Sequence, residues 1–253
     1  MILLLDIGNT STKLATYNIK TNQIKNYISF LTCKKNIISK VLFYKKNKNI
    51  KYALISSVVP SIYKIIKKTL KKSKIKVHEL KDKKIKKNIK INLKKKYQVG
   101  SDRIANSIGG LNYYKKNCII LDFGTTTTFD VADTPNIYQG GIITLGINLA
   151  LKSLNQFTAK LPLIDISNQK KVIGKDTKSA INSGVYIGYS CLINGILEKI
   201  IKQTKKKYLV VLTGGYSKIF KKSIKFKSVV NKDITLYGLA IIVKQNKKVF
   251  NEN

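Results

Sequence analysis

Two carboxylates, Asp6 and Asp122, each close an apolar run, and each is followed at the second position by a glycine. The second acid lies 116 residues after the first. At the later site Cys118 to Leu121 run into Asp122, Gly124 follows, and Thr125, Thr126, Thr127 and Thr128 come next. At the earlier site Ile2 to Leu5 run into Asp6, Gly8 follows, and Thr10, Ser11 and Thr12 come next. An apolar run ending in a carboxylate reads as a buried strand. The glycine lets the backbone turn back tightly, and the hydroxyls line the return. Free N–H groups and hydroxyls beside a carboxylate suit a phosphate chain and its metal ion. A plain hairpin, with threonines serving strand propensity, has the same local look. The recurrence argues for duplication of one phosphate-gripping unit. Two such turns facing each other could hold a nucleoside triphosphate from both sides.

A third acid stands in Gly100-Ser101-Asp102-Arg103. Ser101 is the expected N-cap of a helix running to about Tyr114. Asp102, Arg103 and Asn106 then share its first turn, and the helix dipole keeps Asp102 ionised. Arg103 is the chain's only arginine. Amid so many lysines, one arginine points to planar, forked hydrogen bonding, as to a carboxylate. Further on, an apolar run enters Thr213-Gly214-Gly215. Paired glycines there give backbone room beside a flat ring or a phosphate.

Elements must position these groups. Residues 1 to 18 read as two strands joined by the first turn, with a third strand at Tyr27 to Leu31. A helix is expected over 34 to 47, a strand at Tyr52 to Ser57, and a helix opened by Pro60. The Lys-laden stretch 64 to 96 reads as strand, linker and a marginal strand on a charged surface. Past the central turn, Gly140 to Gly146 read as strand and loop, and Asn148 to Phe157 as a helix. Gly174-Lys175-Asp176-Thr177 precede a helix of small residues, Ala180, Ser183, Gly184, Gly188 and Ser190, and Leu192 to Ile201 continue it. Small residues let backbones approach closely, as at a packed interface. Tyr208 to Leu212 form a strand, and Leu236 to Val243 begin a last helix. Strands alternate with helices throughout, so the class is α/β. The domain boundary is expected near residue 115, giving domains 1–115 and 116–253.

The chain has 253 residues, a hydrophobic fraction of 43% and a formal charge of +37. Such charge suggests nucleic acid. However, the cations are almost all lysine and are spread along the chain, whereas base and phosphate readers favour arginine. Lys, Asn and Ile share A/T-rich codons, which gives this profile without a basic-partner role. Non-specific, salt-sensitive sticking to RNA or DNA is expected; a specific nucleic-acid partner is not. Cys33, Cys118 and Cys191 share no ligand spacing and read as free thiols in a reducing cytoplasm. No apolar stretch approaches the ~18 residues of a membrane span. His78, the only histidine, excludes histidine-pair catalysis and multi-histidine metal sites, and its Lys-rich setting suggests a surface position.

In order along the chain stand Asp6-Ile-Gly-Asn-Thr10, Ser56-Ser-Val-Val-Pro60, Gly100-Ser-Asp-Arg103, Asp122-Phe-Gly-Thr-Thr-Thr-Thr128, Gly140-Gly141, Gly174-Lys-Asp-Thr177 and Thr213-Gly-Gly215. The ordered set resembles type III pantothenate kinase, of the sugar-kinase and actin-like superfamily, over nearly the whole chain. The resemblance implies a duplicated, two-domain, actin-like (ribonuclease H-like) α/β fold with ATP in the interdomain cleft. It implies phosphoryl transfer from ATP to the primary hydroxyl of pantothenate, the first step towards coenzyme A. On matching positions it makes Asp6, Ile7, Gly8, Asn9, Thr10, Ser11, Thr12 and Lys13 the first phosphate loop. Asp6 would organise Mg²⁺, and Thr125 would touch ATP. It makes Asp102 the base and Asp122 the ligand of a monovalent cation, K⁺ or ammonium. Gly100, Ser101, Asp102 and Arg103 would line the pantothenate site. Thr177 would complete it from a neighbouring subunit, which implies a homodimer. The family's tyrosine and proline before the Gly-x-Asp-Arg motif correspond to Leu93 and Lys96, with Tyr97 out of register. Thr126 stands for the family's usual alanine, and Leu145 for a proline. No carboxylate that the mechanism needs is lost. Two other readings share the motifs: a kinase of another small hydroxy acid, and an accessory transcription factor of the kind described among the family's relatives.

Overall fold

The computed structural model describes residues 1–47 and 49–250. It divides into two compact units. The first holds Met1–Lys115, the hairpin tip Ala132–Gln139, and the chain from Asp233 onward; the second holds Lys116–Val131 and Gly140–Lys232. The cut near residue 115 is one of the junctions, but the units are not contiguous in sequence. The last helices, assigned from the sequence to the second domain, pack in the first unit.

The first unit is a sheet ordered β3-β2-β1-β4-β5. Its strands are β1 (Ile2–Ile7), β2 (Ser11–Asn18), β3 (Gln23–Leu31), β4 (Tyr52–Ser57) and β5 (Lys76–Glu79). Between them run α1 (Lys34–Asn47) and α2 (Pro60–Lys72), and a two-residue strand, β6 (Lys90–Ile91), leads to α3 (Ser101–Tyr114). β1 and β4 are buried on both faces, which is why they read as unbroken apolar runs rather than alternating ones. The strand period of two sorts their side chains. Leu3, Leu5 and Ile7 share a core with Ile37 and Val41 of α1 and Ile66 and Leu70 of α2. Ile2 and Leu4 share the opposite core with Ile104 and Ile108 of α3. Asp6 is next in that even-numbered set, so its side chain leaves the sheet on the α3 face. That placement decides the geometry of the site.

The second unit repeats the plan. β7 (Cys118–Phe123), β8 (Thr126–Asp133) and β9 (Ile137–Leu145) precede α4 (Ile147–Gln156) and α5 (Thr177–Thr204). β10 (Leu209–Gly214), α6 (Ser217–Phe220) and β11 (Ser228–Val230) complete it. Its strands follow the order β11-β10-β7-β8-β9, which matches β5-β4-β1-β2-β3 position for position. β1 and β7 have the same residue-by-residue burial pattern, and β2 and β8 differ only at the last residue. α5 is one continuous helix, as the sequence suggested for the small-residue stretch and its continuation to Ile201. By length and composition it could cross a membrane, although its 18-residue apolar window has a mean hydropathy of only 1.2. One face, including Ile181, Tyr189, Ile193 and Leu197, packs into the core of the second unit. The other leaves Ala180, Gly184, Gly188 and Leu192 exposed.

α7 (Ile234–Gln245) and α8 (Lys247–Phe250) return to the first unit. His78 is half-buried there, its ring edge-on to Phe250 at 5.2 Å. The surrounding lysines hid this from sequence, because β5 is the edge strand and α8 covers its end.

Candidate active site

The first turn is held by its own backbone. Gly8 N–H donates to Ser11 O at 3.1 Å, and a Cβ on Gly8 would lie 3.0 Å from that same oxygen. Thr32, which sequence reading did not single out, braces the loop. Its hydroxyl donates to Gly8 O at 2.8 Å and lies 2.9 Å from the Thr12 hydroxyl. Thr12 is thereby buried, while Asn9, Thr10 and Ser11 face outward and Asp6, Gly8 and Lys13 are half-buried. Strand register places Lys13 opposite Asp6, Ser29 opposite Lys13, and Ser56 beside Asp6. A cation, a carboxylate and two hydroxyls therefore form one row across four strands. Burial pushes the Tyr27 hydroxyl's pKa up against the pull of Lys13, with Asp233 and Asp6 both adding to the rise. Tyr27 and Asp233 thus belong to the same electrostatic neighbourhood.

The second turn is one residue tighter: Gly124 N–H donates to Thr126 O at 3.1 Å. Thr128 consequently takes the place of Lys13, and Thr127 that of Thr12. Asp122 pairs in register with Thr213 of β10. Gly214 adopts φ +83°, and a Cβ there would sit 2.7 Å from Asp122 Oδ1. The room expected at the paired glycines is, at Gly214, room first for the Phe123 carbonyl, 2.5 Å from such a Cβ, and then for this carboxylate. Gly215 has open space around it. Gly146 is needed for another reason, since its Cβ would fall 1.9 Å from Thr125 O.

At α3 the structure corrects the capping assignment. Gly100 is the N-cap, and Ser101 is the first helical residue, fully buried, with its hydroxyl bonded to β4. Asn106, on the same helical face as Asp102, is buried and accepts a hydrogen bond from Thr235 Oγ1 of α7 at 2.7 Å, so it also braces two helices. Asp102 is half-buried, and its Oδ1 accepts the Arg103 N–H at 2.8 Å. The Arg103 guanidinium lies over the Tyr138 ring, 5.9 Å from its centre. Tyr138 was invisible from sequence, because it arrives on the hairpin tip of β9. Leu93 packs against the core and Tyr97 is 75% exposed.

Gly100 has an ordinary φ, so its conformational freedom is not what the site needs. A Cβ there would lie 2.4 Å from Asp102 Oδ1. The obstacle is the tip of a movable side chain, so Gly100→Ala should leave the unfolding midpoint nearly unchanged while swinging the carboxylate away. If Asp102 is the base that the resemblance implies, displacing it loses on the order of 10²-fold in rate. Paired kinetic and melting measurements check this; a large stability loss with intact turnover would contradict it.

Thr177 is exposed at the start of α5. Asp176 caps that helix, accepting Ser179 N–H at 2.9 Å in a reciprocal capping box. These hydrogen bonds hold the Asp176 carboxyl below its usual range. The structure therefore groups Asp6 to Lys13 and Gly100 to Arg103 in the first unit, and Asp122, Thr125 and Thr177 in the second. A groove of about 1000 Å³ lies at the far end of α3, against Tyr113, Tyr237 and Lys25, and no residue of the Asp6 turn or of Gly100–Arg103 lines it.

Among the described residues no three His, Cys, Asp or Glu side chains gather as a metal cage. The donors at both turns are carboxylates, hydroxyls and backbone oxygens. That chemistry fits hard cations held partly by phosphate and water. Burial pushes the Cys118 thiol up to about 12, which leaves it a protonated core group.

A sequence profile described as type III pantothenate kinase matches residues 2–199. A type III pantothenate kinase of Pelagibacter ubique is 46% identical over 244 residues, covering 94% of this chain and 97% of that protein. Among solved structures, a Campylobacter jejuni protein described as a Baf family transcriptional activator superposes with TM-score 0.64 at 19% identity, covering 97% of this chain and 99% of that one. A protein of Sinorhizobium meliloti described as a 2-dehydro-3-deoxygalactonokinase gives TM-score 0.61 at 9% identity over 97% and 99%. At these identities the two structures speak for the fold alone, that of the actin-like sugar kinases.

Proposed function

We propose roles for single residues from one premise: the chain belongs to the type III pantothenate kinase family. Its reaction is ATP-dependent phosphorylation of pantothenate, the entry to coenzyme A. The observation that best supports the residue assignments is the repeated Asp-x-Gly turn, set on equivalent strands with matching burial.

Phosphoryl transfer asks the protein mainly to position reactants and neutralise charge. Asp102 orients the primary hydroxyl of pantothenate and accepts its proton as the oxygen bonds to the γ-phosphorus. The bond from that phosphorus to the bridging oxygen of ADP breaks in the same step. Arg103, its guanidinium over the Tyr138 ring, receives the pantothenate carboxylate through its fork. Gly100 keeps space for the base. The N–H groups and hydroxyls of residues 7 to 12, with Lys13, bind phosphate oxygens, and Thr125 contacts ATP. Asp6 would hold Mg²⁺ through water, and Asp122 a monovalent cation, K⁺ or ammonium. Those ions, when bound, offset the negative charge of the phosphates. We place the enzyme in the cytoplasm and read it as a homodimer, with Thr177 entering the partner's pantothenate site. The open Ala180, Gly184 and Gly188 face of the same helix suits close approach of a second copy.

The test is ADP release with ATP and Mg²⁺, with and without pantothenate, in K⁺ and then Na⁺ buffer, on protein whose mass in solution is measured. The expected result is turnover that requires pantothenate and K⁺, from a dimer. Turnover unaffected by pantothenate would overturn the substrate, equal rates in both buffers would overturn the role of Asp122, and an active monomer would overturn the shared site.

A further inference from the structure

We infer that the hydroxyl of Ser101 is a positioning group that ties the base-bearing helix to the strand beside Asp6. The resemblance makes Ser101 a residue lining the substrate site, but its side chain is wholly buried. Its Oγ accepts the Ser57 N–H at 3.0 Å and the Ser56 hydroxyl at 3.1 Å, and donates to Ser57 O at 3.1 Å. A serine hydroxyl has one donor and two acceptor sites, so all are engaged and none remains for substrate. What it joins gives the latch its meaning. Ser56 stands beside Asp6 in the parallel β1–β4 register. The even-numbered residues of β1 and β4 face α3, and Ser101 is the first residue of that helix. One short path thus runs from the carboxylate of the phosphate turn, across a strand pair, through one hydroxyl, to the residue next to Asp102. The separation between the phosphate grip and the base is set there. Helix capping does not explain the arrangement, because Gly100 occupies the cap and makes no side-chain bond to the helix. Nor does simple core filling, which would favour alanine over a group needing three partners.

This inference rests on Asp102 being the proton acceptor, and the experiment separates the two ideas. Ser101→Ala is compared with the unaltered chain, and again in an Asp102→Asn background, by kcat, by KM for ATP, and by melting temperature. Ser101→Ala should lower kcat about 10²-fold with KM for ATP changed by less than about twofold. In Asp102→Asn the same change should lower kcat less than about threefold, because residues acting as a unit are not additive. Ser101→Thr, which retains the hydroxyl, should recover most of the loss. Should Ser101→Ala fail to fold, Ser56→Ala removes a single bond, and its smaller loss must likewise vanish in Asp102→Asn. Near-normal kcat in Ser101→Ala, or an equal loss on both backgrounds, would overturn the latch. An unaltered chain without pantothenate-dependent turnover would sink the role of Asp102 instead, and the latch with it.

Discussion

Asp102→Asn should lower kcat about 10²-fold, with a ceiling near 10⁴-fold, and leave the fold intact. The replacement has the same shape. Its amide oxygen can still accept the Arg103 N–H that Asp102 Oδ1 holds at 2.8 Å, so the first turn of α3 keeps its geometry. Removal of the negative charge from the helix start costs about 0.3–1 kcal/mol, small beside the ~5–15 kcal/mol of a typical domain. What disappears is the capacity to take a proton. The lower end of the kinetic range is the better expectation, since a loose phosphoryl-transfer transition state puts little positive charge on the attacking oxygen. Steady-state kinetics with a melting curve decide the matter. A variant with kcat within about threefold of the parent would remove Asp102 from the proton's path.

Gly238→Ala should lose about 3 kcal/mol, the top of the usual range for overpacking, while Gly195→Ala should be neutral or gain up to ~1 kcal/mol. Both glycines lie within helices, so propensity alone favours alanine at each. Packing reverses the sign at Gly238. A Cβ there would lie 1.9 Å from Ala105 O and 2.7 Å from Ala105 C, backbone atoms that no rotamer change can move. The contact is reciprocal in kind, with Gly109 of α3 placing its missing Cβ 2.3 Å from Ile234 O of α7. Because α3 carries Asp102, forcing the helices apart should also lower activity. Denaturant midpoints of the two variants provide the comparison. Equal midpoints would mean that this close crossing contributes little.

Most elements could be read from local pattern. Four apolar residues before Asp6 or Asp122 announce a strand buried on both faces, and Pro60 marks a helix start. Thr12 and Thr127 sit at equivalent buried positions even though the second loop is a residue shorter, so the duplication shows in the structure more fully than in the letters. What escaped reading depends on partners distant in sequence. Helical spacing put Asn106 near Asp102, but nothing in it announces the bond to Thr235, 129 residues away. Ser101 has the composition of an N-cap, and only β4 turns it into a buried link. Tyr138 looks like any strand tyrosine until Arg103 lies across it. α7 has the pattern of a buried helix, and nothing in that pattern says which sheet it covers.

The return of α7 to the first unit has a consequence for synthesis. Leu236, Leu239, Ile242 and Val243 fill the same core as Ile2 and Leu4. At the ~5–20 residues per second of translation, the strand bearing Asp6 waits on the order of ten seconds or more for the helix that covers one of its faces. During that interval the first unit stays open along the very surface where α3 and its carboxylate must settle. The second unit, whose chain ends at Lys232, is completed just before α7 is made, and Asp102 is among the last groups to reach its place.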